Sequence, residues 1–321
     1  MIEVKDLSKI YGATQAIKNV SFSVEKGTIL GFLGPNGAGK TTTMRILSGY
    51  IPATTGKAII AGFEVHENPL AVRERIGYLP ETPPLYTDMT VKDYLGFVTK
   101  IKGVSSGDRA QKVQKALQCC QLEDRSDTII RKLSKGYRQR VGIAQAIVHD
   151  PPVIILDEPT VGLDPRQIIE VRNLIKSLAG ERTVILSTHI LPEVSMTCDF
   201  VTIINKGTIV ATGKPDELLQ QMQGNAGYVI EVEGDTSNLS TKLKEISGIK
   251  TVHIEAIADI ENRFLININL NNYDLGKNIA SVIVSEGIGI YEMKRSHPSL
   301  EDVFLQLTTN ELIDNPSGIS P

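Results

Sequence analysis

Alternating strand and helix patterns predict an α/β protein with a parallel-sheet core and a smaller α+β domain at the C-terminal end. Three observations carry this. The short apolar run Thr28-Ile29-Leu30-Gly31-Phe32-Leu33 feeds a glycine-rich turn and then a helical pattern. Val153-Ile154-Ile155-Leu156 and Thr183-Val184-Ile185-Leu186-Ser187 are two further buried-strand runs, each with a helical pattern after it. Beyond residue 224 the pattern restarts as strand, helix, strand, strand, helix, strand, which is the ferredoxin-like order.

Taken in order, residues 2–4 and 20–24 read as strands with Tyr11-Gly12 at a turn between them, and residues 28–33 as the next strand. A helix over 41–47 follows, with Met44 and Leu47 at helical spacing. After the turn at 52–56, residues 57–61 and 76–79 are short strands. From Thr90 the pattern becomes helical: Val91, Tyr94, Leu95 and Val98 share one face, and Val113, Ala116 and Leu117 the next. This block runs over about 88–150 and reads as an insertion in the α/β core.

Alternation resumes with the strands at 153–156 and 183–187, helices at 166–178 and 191–197, a hairpin of 201–205 and 208–211 around Lys206-Gly207, and a closing helix at 216–222. Gly224-Asn225-Ala226-Gly227 is the expected boundary, giving domains of 1–223 and 224–313 and a flexible tail over 314–321. In the second domain, 228–232, 252–256, 264–268 and 288–293 read as strands, and 239–246, 275–284 and 300–307 as helices.

The chain has 321 residues and 41% hydrophobic content, enough for two cores. A formal charge of −3 argues against a broad phosphate-backbone footprint and leaves only a local basic patch open. Cys119, Cys120 and Cys198 make neither a disulfide framework nor a zinc spacing, which suits ordinary thiols in a reducing compartment. No apolar stretch approaches the roughly 20 residues that span a bilayer, and the N-terminus lacks a signal-peptide pattern. Work at a membrane therefore needs spans from another polypeptide.

The turn after the third strand is Gly34-Pro35-Asn36-Gly37-Ala38-Gly39-Lys40-Thr41-Thr42, the spacing G-x-x-x-x-G-K-[ST]. Chance produces it in roughly one chain in a hundred of this length. Its glycines permit positive φ and let backbone N–H groups crowd round an anion, and the helix N-terminus adds partial positive charge. Lys40 is placed to reach the β and γ phosphates of ATP, and Thr41 to offer its hydroxyl to Mg²⁺. Asp157-Glu158 ends a buried strand, where open α/β sheets put ligand-contacting groups. Alone, two such acids are solvated strand ends; beside a phosphate cradle, Asp157 can hold Mg²⁺ and Glu158 can take a proton from water.

Leu133-Ser134-Lys135-Gly136-Tyr137-Arg138-Gln139-Arg140, Ile154-Ile155-Leu156-Asp157-Glu158-Pro159-Thr160 and Gly162-Leu163-Asp164 together resemble the ATPase subunit of an ABC transporter. The resemblance covers residues 1 to about 220 and is strongest to the multidrug, sodium and gliding-motility exporter type, whose chains also carry a small C-terminal domain. It implies a P-loop NTPase (RecA-like) core with an antiparallel β subdomain and an inserted α-helical subdomain. It assigns Tyr11 to stacking on adenine, 34–42 to the Walker A loop, and Asp157 and Glu158 to the Walker B acids. Ser134 and Gly136 match the loop that contacts the γ-phosphate held by the opposite subunit. Asp164 matches the loop that signals between two sites, and His189 the switch histidine on the γ-phosphate.

Two departures stand out. Glu81 follows Tyr78-Leu79-Pro80 where the family usually has a glutamine for Mg²⁺ and the attacking water, so an added charge faces the phosphates. Lys135 and Tyr137 replace the usual glycine and glutamine; Lys135 adds positive charge, and Tyr137 reads equally as a helix-face residue. The resemblance implies a head-to-tail dimer with itself or a sister chain, a membrane subunit received in a groove of the helical block and the Glu81 loop, and a place on the inner face of the cell membrane. The rival is an ABC ATPase that works on ribosomes or nucleic acid without a membrane partner. A single Walker A, and no long insertion between Lys40 and Ser134, favour the transporter.

Overall fold

The computed structural model describes residues 1–221, 227–257, 260, 262–270 and 275–296, and divides into two compact units, Met1–Pro215 and Asp216–Pro321. The division falls about one helix ahead of the small-residue stretch at 224–227. Residues 224–226, the helix expected at 300–307 and the tail from 314 lie outside the described residues.

In the first unit, β1 (Ile2–Tyr11) and β2 (Thr14–Val24) pair as an antiparallel hairpin. The first strand continues well past the predicted residue 4. Its alternation is broken at Lys5-Asp6, where Asp6 takes φ 48° and the register shifts, and Leu7 then restores the buried face. β3 (Ile29–Leu33) is buried at every position and delivers the cradle to α1 (Lys40–Leu47). β4 (Thr55–Ile60) and β5 (Phe63–Glu64) return to the hairpin, giving the order β2-β1-β4-β5. β4 starts at Thr55, inside the expected turn.

The unpredicted α2 (Pro69–Arg75) leads into β6 (Ile76–Leu79). The helical block then holds α3 (Val91–Ile101), α4 (Arg109–Cys119) and α5 (Lys135–Ile147). The start of α3 is fixed by Thr90, whose hydroxyl oxygen accepts from Asp93 N at 3.1 Å and donates to Asp93 Oδ2 at 2.7 Å.

β7 (Val153–Asp157), α6 (Pro165–Leu178), β8 (Thr183–Thr188), α7 (Leu191–Thr197), β9 (Phe200–Asn205) and β10 (Thr208–Gly213) follow, and α8 (Pro215–Gln221) starts at the division between the units. The second sheet runs β10-β9-β3-β8-β7-β6, parallel except for β10. Its inner strands β3, β7 and β8 are wholly buried, as a sheet covered on both faces requires. Helix α7 lies so close to β3 that a Cβ on Gly31 would be 2.8 Å from Val194 Cγ1 and 2.9 Å from Cys198 Sγ. One core joins the two sheets: Phe22 of β2 meets Phe32 of β3 at 5.4 Å between ring centroids, and Leu30, Met44, Ile155 and Ile185 belong to the same cluster. The hairpin is thereby held against the cradle.

The second unit contains β11 (Gly227–Glu233), α9 (Leu239–Lys244), β12 (Ile249–Ala256), β13 (Arg263–Leu270), α10 (Gly276–Ser285) and β14 (Gly289–Ser296). Its strands form one antiparallel sheet in the order β12-β13-β11-β14. Ile230, Val232, Ile266 and Ile268 pack with Leu239, Leu243, Ile279 and Ile283 of the helices in a core of its own. Among the described residues no helix is long and apolar enough to cross a membrane.

Candidate functional site

The loop between β3 and α1 takes a path that only glycine allows at two points. Gly37 and Gly39 have φ 80° and 107°, and a Cβ on Gly39 would be 2.6 Å from Ile17 Cγ2 and 2.8 Å from Ala16 O. Lys40 is 5% exposed; its ammonium donates to Gly34 O at 2.8 Å and Pro35 O at 3.2 Å and pairs with Glu158 Oε1 at 3.2 Å. The loop faces a cleft of about 560 Å³ lined by Asn36, Gly37, Gly39, Lys40, Thr41 and Thr42, with Ala16, Glu81, Glu158, Val161 and His189 completing the wall.

The acids come from the carboxyl end of β7, beside the end of β3 through β8. Asp157 is 1% exposed; Ser187 Oγ donates to its Oδ1, and Thr41 Oγ1 lies 3.4 Å from the same oxygen. Its Oδ2 is buried without a hydrogen-bond partner. Burial raises the Asp157 pKa, the Ser187 and Thr41 hydroxyls oppose the rise, and Glu158 and Glu81 add to it. Glu158 has a left-handed backbone, φ 49°, at a cost of roughly 1–2 kcal/mol for a residue with a Cβ. Its N–H, donating to Ser187 O at 3.0 Å, helps hold that conformation. The side chain points into the cleft, with Oε2 2.9 Å from His189 Nδ1.

An unpartnered buried carboxylate oxygen, a neighbouring hydroxyl and Glu81 in the cleft wall are hard oxygen donors, and they fit Mg²⁺. Among the described residues no group of three or more His, Cys, Asp or Glu forms a self-contained metal cluster.

The remaining predicted residues lie elsewhere. Tyr11 ends β1, is 46% exposed with Lys9 Nζ 5.1 Å from its ring centroid, and is not part of the cleft wall. Ser134 caps α5 by accepting from Tyr137 N at 3.4 Å, and Asp164 caps α6 by accepting from Gln167 N at 2.9 Å. Gly136 and Asp164 share a separate hollow with Gln121, Tyr137, Arg140 and Gln167. The end of the Gln167 side chain lies against Gly136, where a Cβ would be 2.6 Å from its Cδ. Lys135 lies against Gly162, where a Cβ would collide with its ammonium. The guanidinium groups of Arg125 and Arg140 lie 5.5 and 5.7 Å from the ring centroid of Tyr137.

Sequence reasoning missed a buried hydroxyl and carboxylate set behind the cleft. Thr160 and Thr188 both donate to Glu193, which is 3% exposed. The available signal was Ser187-Thr188 directly before His189.

A glycine cradle between a buried strand and a helix, with paired acids at the next-but-one strand end, defines a nucleotide-binding P-loop α/β fold. The ABC transporter family profile matches residues 17–161. The bacitracin transport ATP-binding protein BcrA of Bacillus licheniformis is 34% identical over 96% of this chain and 97% of its own. The Nod factor export ATP-binding protein I of Cupriavidus metallidurans is 31% identical over 98% and 99%. A dimeric post-hydrolysis structure of the ATP-binding cassette MJ0796, bound to ADP and Pi, superposes with a TM-score of 0.61 at 25% identity, covering 67% of this chain and 98% of that one. The chain therefore belongs to the ATP-binding proteins of ABC transporters and is an ATPase.

Proposed function

We propose that this chain is the motor subunit of an exporter, working as a head-to-tail pair beneath a separate membrane subunit. The carrying observation is a separation: within one chain the cradle faces one cleft while Gly136 and Asp164 face another hollow. A two-fold pair lets the Ser134 loop of each copy complete the cradle of the other, making two equivalent sites. The dimeric MJ0796 cassette and the transport and export names of BcrA and the Nod factor protein support this reading.

In this reading the loop N–H groups and Lys40 hold the phosphates, and Tyr11, at the tip of the hairpin whose other arm carries Ala16, stacks on adenine. Thr41, Asp157 and Glu81 would hold Mg²⁺, which would supply charge neutralisation to the phosphates. Glu158 takes a proton from water as its oxygen attacks the γ-phosphorus in line and the bond to ADP breaks. Lys40 and His189 stabilise the charge that develops on the γ oxygens.

The membrane subunit docks on a groove of about 590 Å³ lined by Arg45, Tyr50, Arg73, Tyr78, Pro84 and Lys102, where α1, β6 and the helical block meet. In this reading the chain works on the inner face of the cell membrane. The C-terminal unit, assigned a domain boundary at 223/224, is ferredoxin-like by its element order and its antiparallel β12-β13-β11-β14 sheet, and serves as a docking or dimer-stabilising appendage.

The test is the mass of the Glu158→Gln chain by light scattering with and without Mg-ATP. A shift from monomer to dimer supports the paired motor. A chain that stays monomeric while binding ATP removes self-pairing and leaves a sister chain as the other half.

A further inference from the structure

Glu193 lies on α7, four residues past His189, and is shut away from solvent. Its two oxygens serve two different segments. Oε1 accepts from Thr160 Oγ1, two residues beyond Glu158, and Oε2 accepts from Thr188 Oγ1 at 2.8 Å, one residue before His189. Thr188 Oγ1 in turn accepts from Ile190 N at 3.0 Å, so the backbone on both sides of His189 is tied to this carboxylate. Thr160 and Thr188 are themselves 3% and 0% exposed, so water does not compete for the three groups.

An isolated carboxylate in such a place costs several kcal/mol, and hydroxyl donors to both oxygens offset that cost. The neighbouring buried residues of α7 are Leu191 and Val194, and an apolar side chain would fill the same volume without that cost. What the carboxylate adds is a bridge between two strand ends that carry different reactive groups. The bridge also has a load to resist. Glu158 sits at φ 49°, and the turn after it, through Val161 N to Glu158 O at 3.3 Å, is tethered to the rest of the fold by Thr160. Val161, next to Thr160, lines the cleft, so a shift of that turn reaches the wall.

We infer that Glu193 is a positioning residue, which fixes the distance between Glu158 and His189 by clamping the two turns that carry them. This rests on the reading that Glu158 and His189 act on the γ-phosphate and its attacking water. The bridge touches no cradle residue, so its loss affects turnover and spares ATP binding.

The test uses the full chain with Glu193→Ala, Glu193→Gln, Thr188→Val and Glu158→Gln. Melting temperature, ATP affinity, kcat and KM are measured for each. Glu193→Ala is expected to bind ATP within about threefold of the parent while kcat falls about 100-fold, the penalty of a reacting group misplaced by about 1 Å. Glu193→Gln, which still accepts one hydroxyl, should recover a large part of that loss. The NMR signal of His189, labelled with ¹⁵N, should move in Glu193→Ala even without turnover. A kcat within threefold of the parent, or a loss that appears wholly in KM, refutes the positioning role. If Glu193→Ala does not fold, Thr188→Val decides: kcat falls with KM unchanged, or the clamp is wrong. Full turnover in Glu158→Gln would instead remove the site reading itself, and the two failures are told apart by that control.

Discussion

Lys40 Nζ lies 3.2 Å from Glu158 Oε1, with the two side chains 5% and 7% exposed. The other oxygen of the same carboxylate is 2.9 Å from His189 Nδ1. Glu158 therefore bridges the cation that would hold phosphate and the imidazole that would face it. In the proposed reading a triphosphate would compete with this carboxylate for Lys40, and the exchange would free Glu158 to accept a proton from water, coupling phosphate binding to release of the base.

Lys40→Ala removes the phosphate contact and also the two bonds to Gly34 O and Pro35 O. Charge-assisted hydrogen bonds contribute about 1.5–3 kcal/mol each, so ATP affinity should fall at least about 100-fold in a titration with a fluorescent ATP analogue. The change also takes from the buried Glu158 its lysine partner and leaves His189 alone beside the carboxylate, so the melting temperature should drop and recover in the Lys40→Ala/Glu158→Gln double variant. Unchanged affinity would remove the cradle assignment.

Glu158→Gln keeps the size of the side chain but cannot take a proton. ATP binding should survive while steady-state phosphate release falls about 1,000-fold, within the usual range for a lost general base. Wild-type turnover in this variant would move the base to Glu81, the other carboxylate on the cleft wall.

Much of this was readable before folding, for physical reasons. Strands β3, β7 and β8 are built round continuous apolar runs because both of their faces are covered, and the loop glycines announce a path that other residues cannot take. The long β1 was hidden by Asp6, whose left-handed backbone interrupts the alternation while the hairpin continues. Helix α2 buries only Val72, which leaves no periodicity to detect. Glu193 went unread although Ser187-Thr188 stands directly before His189, because its partners Thr160 and Thr188 are far apart in sequence and meet through the parallel pairing of β7 with β8. Lys135 has a charge that the sequence directs toward phosphate and the fold directs onto Gly162.

Glu81 faces the cleft and adds to the electrostatic pressure on Asp157. Glu81→Gln should strengthen binding of ATP without Mg²⁺ about fivefold, matching ~1 kcal/mol for two charges at 4 Å in a water-like dielectric. The same variant should need more free Mg²⁺ for half-maximal turnover, since one hard oxygen donor of full charge is gone. Identical Mg²⁺ curves for parent and variant would place Glu81 outside the metal's reach.

His149 follows α5, with Nε2 3.1 Å from Ile76 O and a buried, unpartnered Nδ1. Burial, helped by the Lys102 ammonium, lowers its pKa to about 4. The unfolded chain's histidine takes its proton near pH 6.5, roughly. Between those values the unfolded state binds a proton that the folded state refuses, so stability is level above about pH 7 and declines as the pH falls toward 4. The slope is at most about 1.4 kcal/mol per pH unit for one proton. Asp150 does not confuse the window: burial would raise its pKa, but hydrogen bonds from Lys112 and Arg182 hold it down at about 2. Its contribution is intact above the unfolded value near 4, roughly, and is lost only as the pH falls from there toward 2. Urea midpoints at pH 7.5, 6.0 and 4.5 should therefore decline in the parent and flatten in His149→Gln. An equal decline in both would assign the acid sensitivity to another group, because Gln cannot titrate and the slope alone carries the answer.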